Sequence, residues 1–292
     1  MLPGGVESGA IGADVPPRGS GEAWLMSSVE RIAYLGVEFQ ITDDGTRPAW
    51  FAFGLRKSGS SIMNSMVNAL ADMNGVRYVD VAGKLFEKGV TVPSWQNDAG
   101  MQALLRGGNL YGGFRNAPLG LVGHPLLAAG PKILLVRDPR DALVSDYFSS
   151  AFSHSLPAGG DERDVLLAAR SRALTATIGE WVLRRAEGFR QTMRDYDPFL
   201  AMPGTVVYRY EQAILDKRWF LRDVCRHFGW TVTEEQLGHI LGWADIMPDE
   251  EKPTQFVRKV RPGDHRDKLD DRTIATLNEI FAAELEAFGY RR

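Results

Sequence analysis

Short apolar runs without polar alternation narrow the fold of this chain more than any other feature. "WFAFG" from Trp50, "KILLVR" from Lys132 and "TVVYRY" from Thr205 are examples. A strand with one wet face alternates apolar and polar residues, whereas a continuous apolar run is covered on both faces, as in a parallel sheet between two layers of helices. "VRYVDV" from Val76 reads as a further strand. Segments of helical period fall between the strands: residues 61–73, with a predicted buried stripe of Ile62, Met66, Leu70 and Met73, then 139–152 and 218–228. The pattern predicts one α/β domain over residues 26–292, a doubly wound parallel sheet with helices on both faces. Residues 1–25 are crowded with Gly, Pro and Ser and have no period, so they read as a disordered leader. Two stretches, 83–123 and 161–196, read as insertions that shape a second binding site.

Composition removes several classes of function. Of 292 residues, 44% are hydrophobic, enough for one large core, and the net charge of -3 supplies no bulk positive field for nucleic acid or an acidic membrane surface. Cys225 is the sole cysteine, which excludes an internal disulfide and a cysteine-based metal site. The longest apolar stretch, "LLAAGPKILLV", is cut by Gly130, Pro131 and Lys132, well short of the roughly 20 residues a membrane helix needs. No basic region followed by an apolar core marks a secretory signal, so the expected compartment is the cytoplasm.

The segment "FGLRKSGSS", residues 53–61, comes close to a phosphate-binding loop. In the usual pattern G-x-x-x-x-G-K-[ST] a lysine follows the second glycine. Here Gly54 and Gly59 keep the spacing, Ser60 stands in the lysine's slot, and Lys57 comes before the second glycine. Because an apolar strand precedes the turn and a helix follows it, Ser58–Ser61 fall at a helix N-terminus, where free N–H groups and the helix dipole favour an anion. A plain Gly/Ser turn with capping serines would look the same over nine residues. A second segment, "KILLVRDPRDALVSDYF", ends a strand at Arg137, offers Asp138 as N-cap and places Pro139 in the first helical turn. Arg137 therefore leaves the carboxyl end of a strand, where open α/β sheets bind ligands, and Ser145 lies two turns along the next helix. Arg137 pairing only with Asp138 or Asp141 is the simpler alternative.

Taken together, these residues resemble the cytosolic-type sulfotransferases, which use 3'-phosphoadenosine 5'-phosphosulfate (PAPS). Their loop P-K-S-G-[ST]-[ST] is similar to Arg56-Lys57-Ser58-Gly59-Ser60-Ser61, and their strand-end arginine with a serine eight positions later is similar to Arg137 and Ser145. Their tyrosine-acid motif resembles Tyr210-Glu211, and their late F-x-R-K-G loop followed by G-D resembles Phe256 to Lys259 with Gly263-Asp264. The resemblance implies PAPS as co-substrate and no metal. Lys57 would act on the leaving phosphate, with Arg56, Ser58, Gly59, Ser60 and Ser61 around the 5'-phosphate. Arg137, Ser145, Arg258 and Lys259 would hold the 3'-phosphate. Three positions depart from the family: Arg56 replaces a proline, Ile62 a tryptophan that stacks on adenine, and Val260 a glycine. The second departure implies that adenine rests on another ring, Tyr210 or Phe256. The loop "RKVRPGDHR" gathers five basic side chains if His265 is charged, and reads as an anion clamp or as a solvated loop.

A hydroxyl acceptor must lose a proton as it attacks sulfur, and histidine is the usual base near neutral pH. His124, in "LVGHPLL", resembles the family's histidine-before-proline site and is the first candidate, although it lies only 13 residues ahead of Arg137. By spacing, Arg115 or Asn116 takes the histidine's place, and neither is a good base. His154, at the end of the helix that carries Ser145, is the next candidate, and an acidic residue or a base-free route remain. His227 and His239 read as structural. The expected reaction is sulfuryl transfer to a hydroxyl or amine of a small-molecule or carbohydrate acceptor, with a glycan or glycolipid favoured by the polar "SWQNDAGMQALLRGGNLYGGFRN". A nucleotide kinase and a non-catalytic nucleotide-binding module are the alternatives; turnover of ATP with magnesium would mark the first, and tight nucleotide binding without turnover the second.

Overall fold

A computed structural model describes residues 28–245 and 260–291. The leader, Phe256, Arg258 and Lys259 lie outside the described residues. An antiparallel hairpin comes first, β1 (Ser28–Tyr34) and β2 (Val37–Asp43), followed by β3 (Trp50–Gly54), α1 (Ser60–Met73), β4 (Arg77–Asp80) and α2 (Val81–Glu87). Next come β5 (Asn109–Phe114), β6 (Lys132–Val136), α3 (Pro139–Phe148), α4 (Asp161–Thr175), α5 (Ile178–Arg194), β7 (Thr205–Arg209), α6 (Lys217–Phe228), α7 (Glu234–Ala244) and α8 (Asp271–Ile280), with shorter helices between. Strands β3 to β7 form one parallel sheet in the order β4-β5-β3-β6-β7, with helices on both faces. This is the α/β class expected from the uninterrupted apolar runs.

Alternate residues of those runs feed two cores. Phe51, Phe53, Leu134 and Val136 pack toward α3, α5 and α8, while Trp50, Ala52, Ile133 and Leu135 pack toward α1, α6 and α7. β3 and β6 are therefore buried throughout because neither has a wet face, whereas edge strand β7 leaves Val207 and Arg209 exposed. The buried face of α1 is Met63, Met66, Val67, Leu70 and Ala71. Ile62 and Met73, predicted to be buried, instead flank that stripe.

One expectation fails in an instructive place. The stretch 83–123 is not merely an insertion, because it contains β5, which lies between β4 and β3. Its sequence, NLYGGF, was hard to read as a strand because glycines weaken strand signals. Here they are required: a Cβ on Gly112 would sit 2.6 Å from the Tyr78 ring, and Gly113 has φ +81° with a Cβ position 1.8 Å from Asp80 Oδ1. The helix expected over 139–152 changes character at Ser149, where a single π-helical turn, Ser149–Ser153, leads to His154. The run TVVYRY gives up its last residue, since Tyr210 opens a short helix, Tyr210–Ala213.

The connections set the position of the site. After β3 the chain enters α1 on one face of the sheet, and after the neighbouring β6 it enters α3 on the other. Adjacent parallel strands whose connections diverge leave a crevice at their carboxyl ends. The residues that emerge there are Leu55–Gly59 and Arg137.

Asn109 fastens the hairpin to the sheet. Its side-chain oxygen accepts from the Thr42 N–H at 2.9 Å, and its amide donates to the carbonyls of Thr42, Gly107 and Arg106 at 2.7, 2.9 and 3.2 Å. Removing it strands several buried backbone groups. We expect Asn109→Ala to lower unfolding free energy by about 2–4 kcal/mol in urea titration; a loss under about 1 kcal/mol would show that these groups find other partners.

Candidate nucleotide and acceptor site

The loop between β3 and α1 is held from inside. The Ser58 hydroxyl donates to the Leu55 carbonyl at 2.6 Å and is fully buried, so it closes the turn and does not face a ligand. Gly59 is the N-cap residue of α1, in the left-handed region at φ 82°, and a Cβ there would meet the Tyr210 ring at 3.0 Å. Glycine is therefore needed both for its conformation and for close approach to that ring. No side chain caps the first turn of α1, so its leading N–H groups stay available to an anion. Lys57 itself has φ 62°, a conformation that costs a non-glycine residue of order 1 kcal/mol and persists only where the surroundings impose it.

Arg137 imposes it. Its Nη1 donates to the Lys57 carbonyl at 3.1 Å, and its guanidinium lies 4.4 Å from the centroid of the Tyr210 ring. Arg137 is 5% exposed, and its Nε is buried without a hydrogen-bond partner among the described residues. It pairs with neither acid that the simpler sequence reading offered. Asp138 is taken by Arg140, whose Nη2 reaches Asp138 Oδ2 at 2.6 Å. Asp141 turns to the far loop, accepting from Gly263 N at 2.6 Å and from both the backbone N and Nδ1 of His265 at 2.9 and 2.6 Å. His265 is thereby buried against Asp141 and is not part of an open basic clamp. The same bonds anchor the carboxyl flank of the segment that contains Arg258 and Lys259. Ser145 is half-exposed, one turn beyond Asp141 on α3. Glu211 accepts from the Asp138 N–H at 3.0 Å and from the Tyr290 hydroxyl at 2.9 Å, tying the exit of β7 to that of β6. Tyr210 is buried beneath Gly59 and Arg137, where it supports the loop and offers no open face for adenine.

On the opposite side of Lys57, Asp146 gathers cations. Its Oδ2 is 2.7 Å from Arg185 Nε and accepts from Trp181 Nε1 at 3.2 Å; Oδ1 is 3.4 Å from Arg56 Nη2. Burial alone pushes the Asp146 carboxyl up, but Arg56, Arg185 and Lys57 together hold it below its ordinary range. Burial, opposed by Asp146 and reinforced by Arg56, Arg137 and Arg115, brings the Lys57 ammonium down to about 8. Arg115, at the end of β5, donates to the Ser61 hydroxyl at 3.0 Å.

The two histidine candidates separate. His124 caps the short helix Pro125–Ala129, its Nδ1 accepting from the Leu126 N–H at 3.2 Å. That helix leads into the amino end of β6, and Arg106, the charge that helps to lower the His124 pKa after burial, precedes β5. His124 thus belongs to the loops that feed the amino ends of the strands, away from Lys57. His154 shares the field of Lys57: burial, then Arg56 and Lys57, bring its pKa down to about 4. Its Nδ1 is 3.2 Å from the Ser149 hydroxyl, and its ring meets Phe86 edge-on at 6.1 Å.

Sequence reasoning missed Asp146 and Arg185. Asp146 left no distinct signal, because α3 also carries Arg140, Asp141 and Ser145. A cleft of about 290 Å3 opens beside this cluster. A larger one, about 960 Å3, runs along edge strand β7 between Val207 and Phe288 and does not include Lys57 or Arg137. No helix among the described residues is long and apolar enough to cross a membrane. No group of three or more His, Cys, Asp or Glu among them is placed to hold a metal ion.

No family model and no curated protein matches the sequence. Solved structures do match. The mouse sulfotransferase SULT7A1 complexed with PAP superposes with a TM-score of 0.54 at 13% identity, covering 87% of this chain and 94% of that one. Retinol dehydratase in complex with retinol and PAP matches at 0.47 and 16%, over 91% and 92% of the two chains. A sulfotransferase from Alicyclobacillus acidocaldarius matches at 0.43 and 15%, over 84% and 97%.

The depressed Lys57 pKa has a consequence for anion binding. A bound phosphate favours the ammonium form, so its affinity should be flat below pH 8 and fall about tenfold per pH unit above it, as the free protein loses that proton. Calorimetric titration with PAP from pH 6.5 to 9.5 checks this, and Lys57→Met should abolish the slope. A slope in the wild type that survives in Lys57→Met would assign it to another group.

Proposed function

We propose that this chain, which has the sulfotransferase fold, transfers a sulfuryl group from PAPS to a hydroxyl or amine of an acceptor. One observation carries the reading: Lys57, in a left-handed conformation, is held by its own carbonyl to Arg137 beside the uncapped N-terminus of α1. A triphosphate site places its lysine after the loop glycine, where it reaches the outer phosphates. Here the ammonium precedes the glycine and belongs beside the bridging oxygen of a phosphosulfate. When bound, PAPS supplies the activated sulfuryl group, and its other product is PAP, the nucleotide present in the mouse structure of the same fold.

The residues around the crevice fit such a nucleotide. The N–H groups of Gly59, Ser60 and Ser61 suit the 5'-phosphate, with Ser58 closing the turn beneath them. The buried, unpartnered Nε of Arg137 is a donor in want of an acceptor, and with Ser145 it suits the 3'-phosphate, joined by Arg258 and Lys259 from the segment anchored at Asp141. Lys57 stabilises the negative charge that develops on the leaving phosphate, an interaction stronger in the transition state than before it. Arg56 contributes through Asp146 and through its own charge.

The proton of the acceptor goes to His154, in place of the His124 favoured by sequence. With its pKa near 4 in the free protein, His154 is neutral at physiological pH and ready to accept. Lys57, one of the cations that add to burial in depressing that pKa, is the one that the nucleotide neutralises, so nucleotide binding raises the basicity of His154. His154→Ala should lower turnover of PAPS by about 100- to 10,000-fold while PAP affinity stays within about threefold, and His124→Ala should remain active. An inactive His124→Ala with an active His154→Ala would return the role to His124. Two active variants would leave Asp80, whose carboxyl burial raises above its ordinary range beside Arg115, to take the proton.

A further inference from the structure

The cleft of about 290 Å3 is lined by Arg56, Asn116, Arg184, Arg185, Gly188 and Phe189, with Thr192 beyond. It lies against α5, and so on the face of the sheet opposite α1, whose N-terminus suits the phosphate. It is also next to Asn116, which follows the end of β5. The cleft thus reaches Arg56, the neighbour of Lys57 in the chain, from the face of the sheet away from α1.

Its charge is unbalanced. Arg56 and Arg185 share the single carboxylate of Asp146, one oxygen each, so each guanidinium keeps donors to spare. Arg184 is exposed on the rim. The other acids that feel these arginines do not line the cleft: Glu162, whose carboxyl burial raises while Arg56 lowers it, and Glu180, which is bound into the capping box of α5 with Thr177. Asn116 and Thr192 add groups for neutral hydrogen bonds, and Phe189 adds an apolar wall.

Gly188 provides an independent observation. It lies inside α5, where glycine costs about 1 kcal/mol relative to alanine, and a Cβ built on it has no neighbour within 4 Å. Packing does not require glycine there. As an exposed lining residue it leaves the mouth of the cleft free of a side chain between Arg184 and Thr192, which lie one turn to either side, the Thr192 hydroxyl donating to the Gly188 carbonyl at 3.0 Å.

We propose that this cleft is the acceptor subsite and binds an anionic substituent, a carboxylate or a sulfate, on a polyhydroxylated acceptor. The substrates would then be acidic carbohydrates in preference to neutral ones. This rests on the sulfuryl-transfer reading, and the test separates the two. Calorimetry on the full chain, with saturating PAP and again without it, compares methyl glucuronide, methyl 6-sulfoglucoside and methyl glucoside. At least one charged glycoside should bind about tenfold or more tightly than the neutral one, and which of the two prevails distinguishes carboxylate from sulfate. Arg184→Gln and Gly188→Leu should each reduce that preference about tenfold or more, with melting temperature and PAP affinity unchanged. Equal binding of the three glycosides, or a preference that survives both substitutions in folded protein, overturns the proposal. Failure of the wild type to bind PAP overturns the sulfuryl-transfer reading instead, and the glycosides measured without PAP still decide the cleft.

Discussion

The bond from the Arg137 guanidinium to the Lys57 carbonyl is the constraint on which the rest of the site depends. It joins the ends of β3 and β6, the two strands whose connecting helices diverge to opposite faces of the sheet. Together with the Ser58 turn it holds Lys57 at positive φ. Tyr210 completes the support from β7, lying under both Gly59 and Arg137, and Glu211 ties the next backbone N–H of β6 to Tyr290. Three strand ends are thus locked around one loop, so the anion site proposed for it would be formed before any ligand arrives. Such preorganisation is what electrostatic catalysis requires.

A second constraint is the concentration of positive charge. Lys57, Arg56, Arg115 and Arg137 repel one another, and Asp146 is the buried carboxylate that tempers them. Burial first, and this repulsion after it, lowers the pKa values of Lys57 and His154. In the proposed function a polyanionic nucleotide would relieve the repulsion, coupling binding to protonation. The arginines on the α5 side extend the same positive field into the smaller cleft.

How much was legible in the sequence follows from which interactions are local. The buried strands WFAFG and KILLV announce themselves because both faces are apolar, and the strand-turn-helix context of residues 53–61 located the loop. β5 was missed because Gly112 and Gly113 answer to Tyr78 and Asp80, contacts made across the sheet that no local pattern displays. His124-Pro125 repeats the Asp138-Pro139 device, a cap followed by proline in the first turn, so the helix start at His124 was open to reading. Arg137 stands at a strand end, as its sequence context implies, but its bond to the Lys57 carbonyl spans 80 residues and no local pattern displays it. Arg184 and Arg185 carry no signal in the sequence, because only the fold places them beside Arg56.

The account stands most directly on Arg137 serving two purposes, bracing the Lys57 loop and meeting the 3'-phosphate. Calorimetry with PAP and with adenosine 5'-monophosphate, on wild type and on Arg137→Ala, separates them. The account predicts that both ligands weaken, because the loop loosens, and that PAP weakens by about 1.5–3 kcal/mol more, because a charge-assisted bond to the 3'-phosphate is lost. Equal losses for the two nucleotides would contradict it.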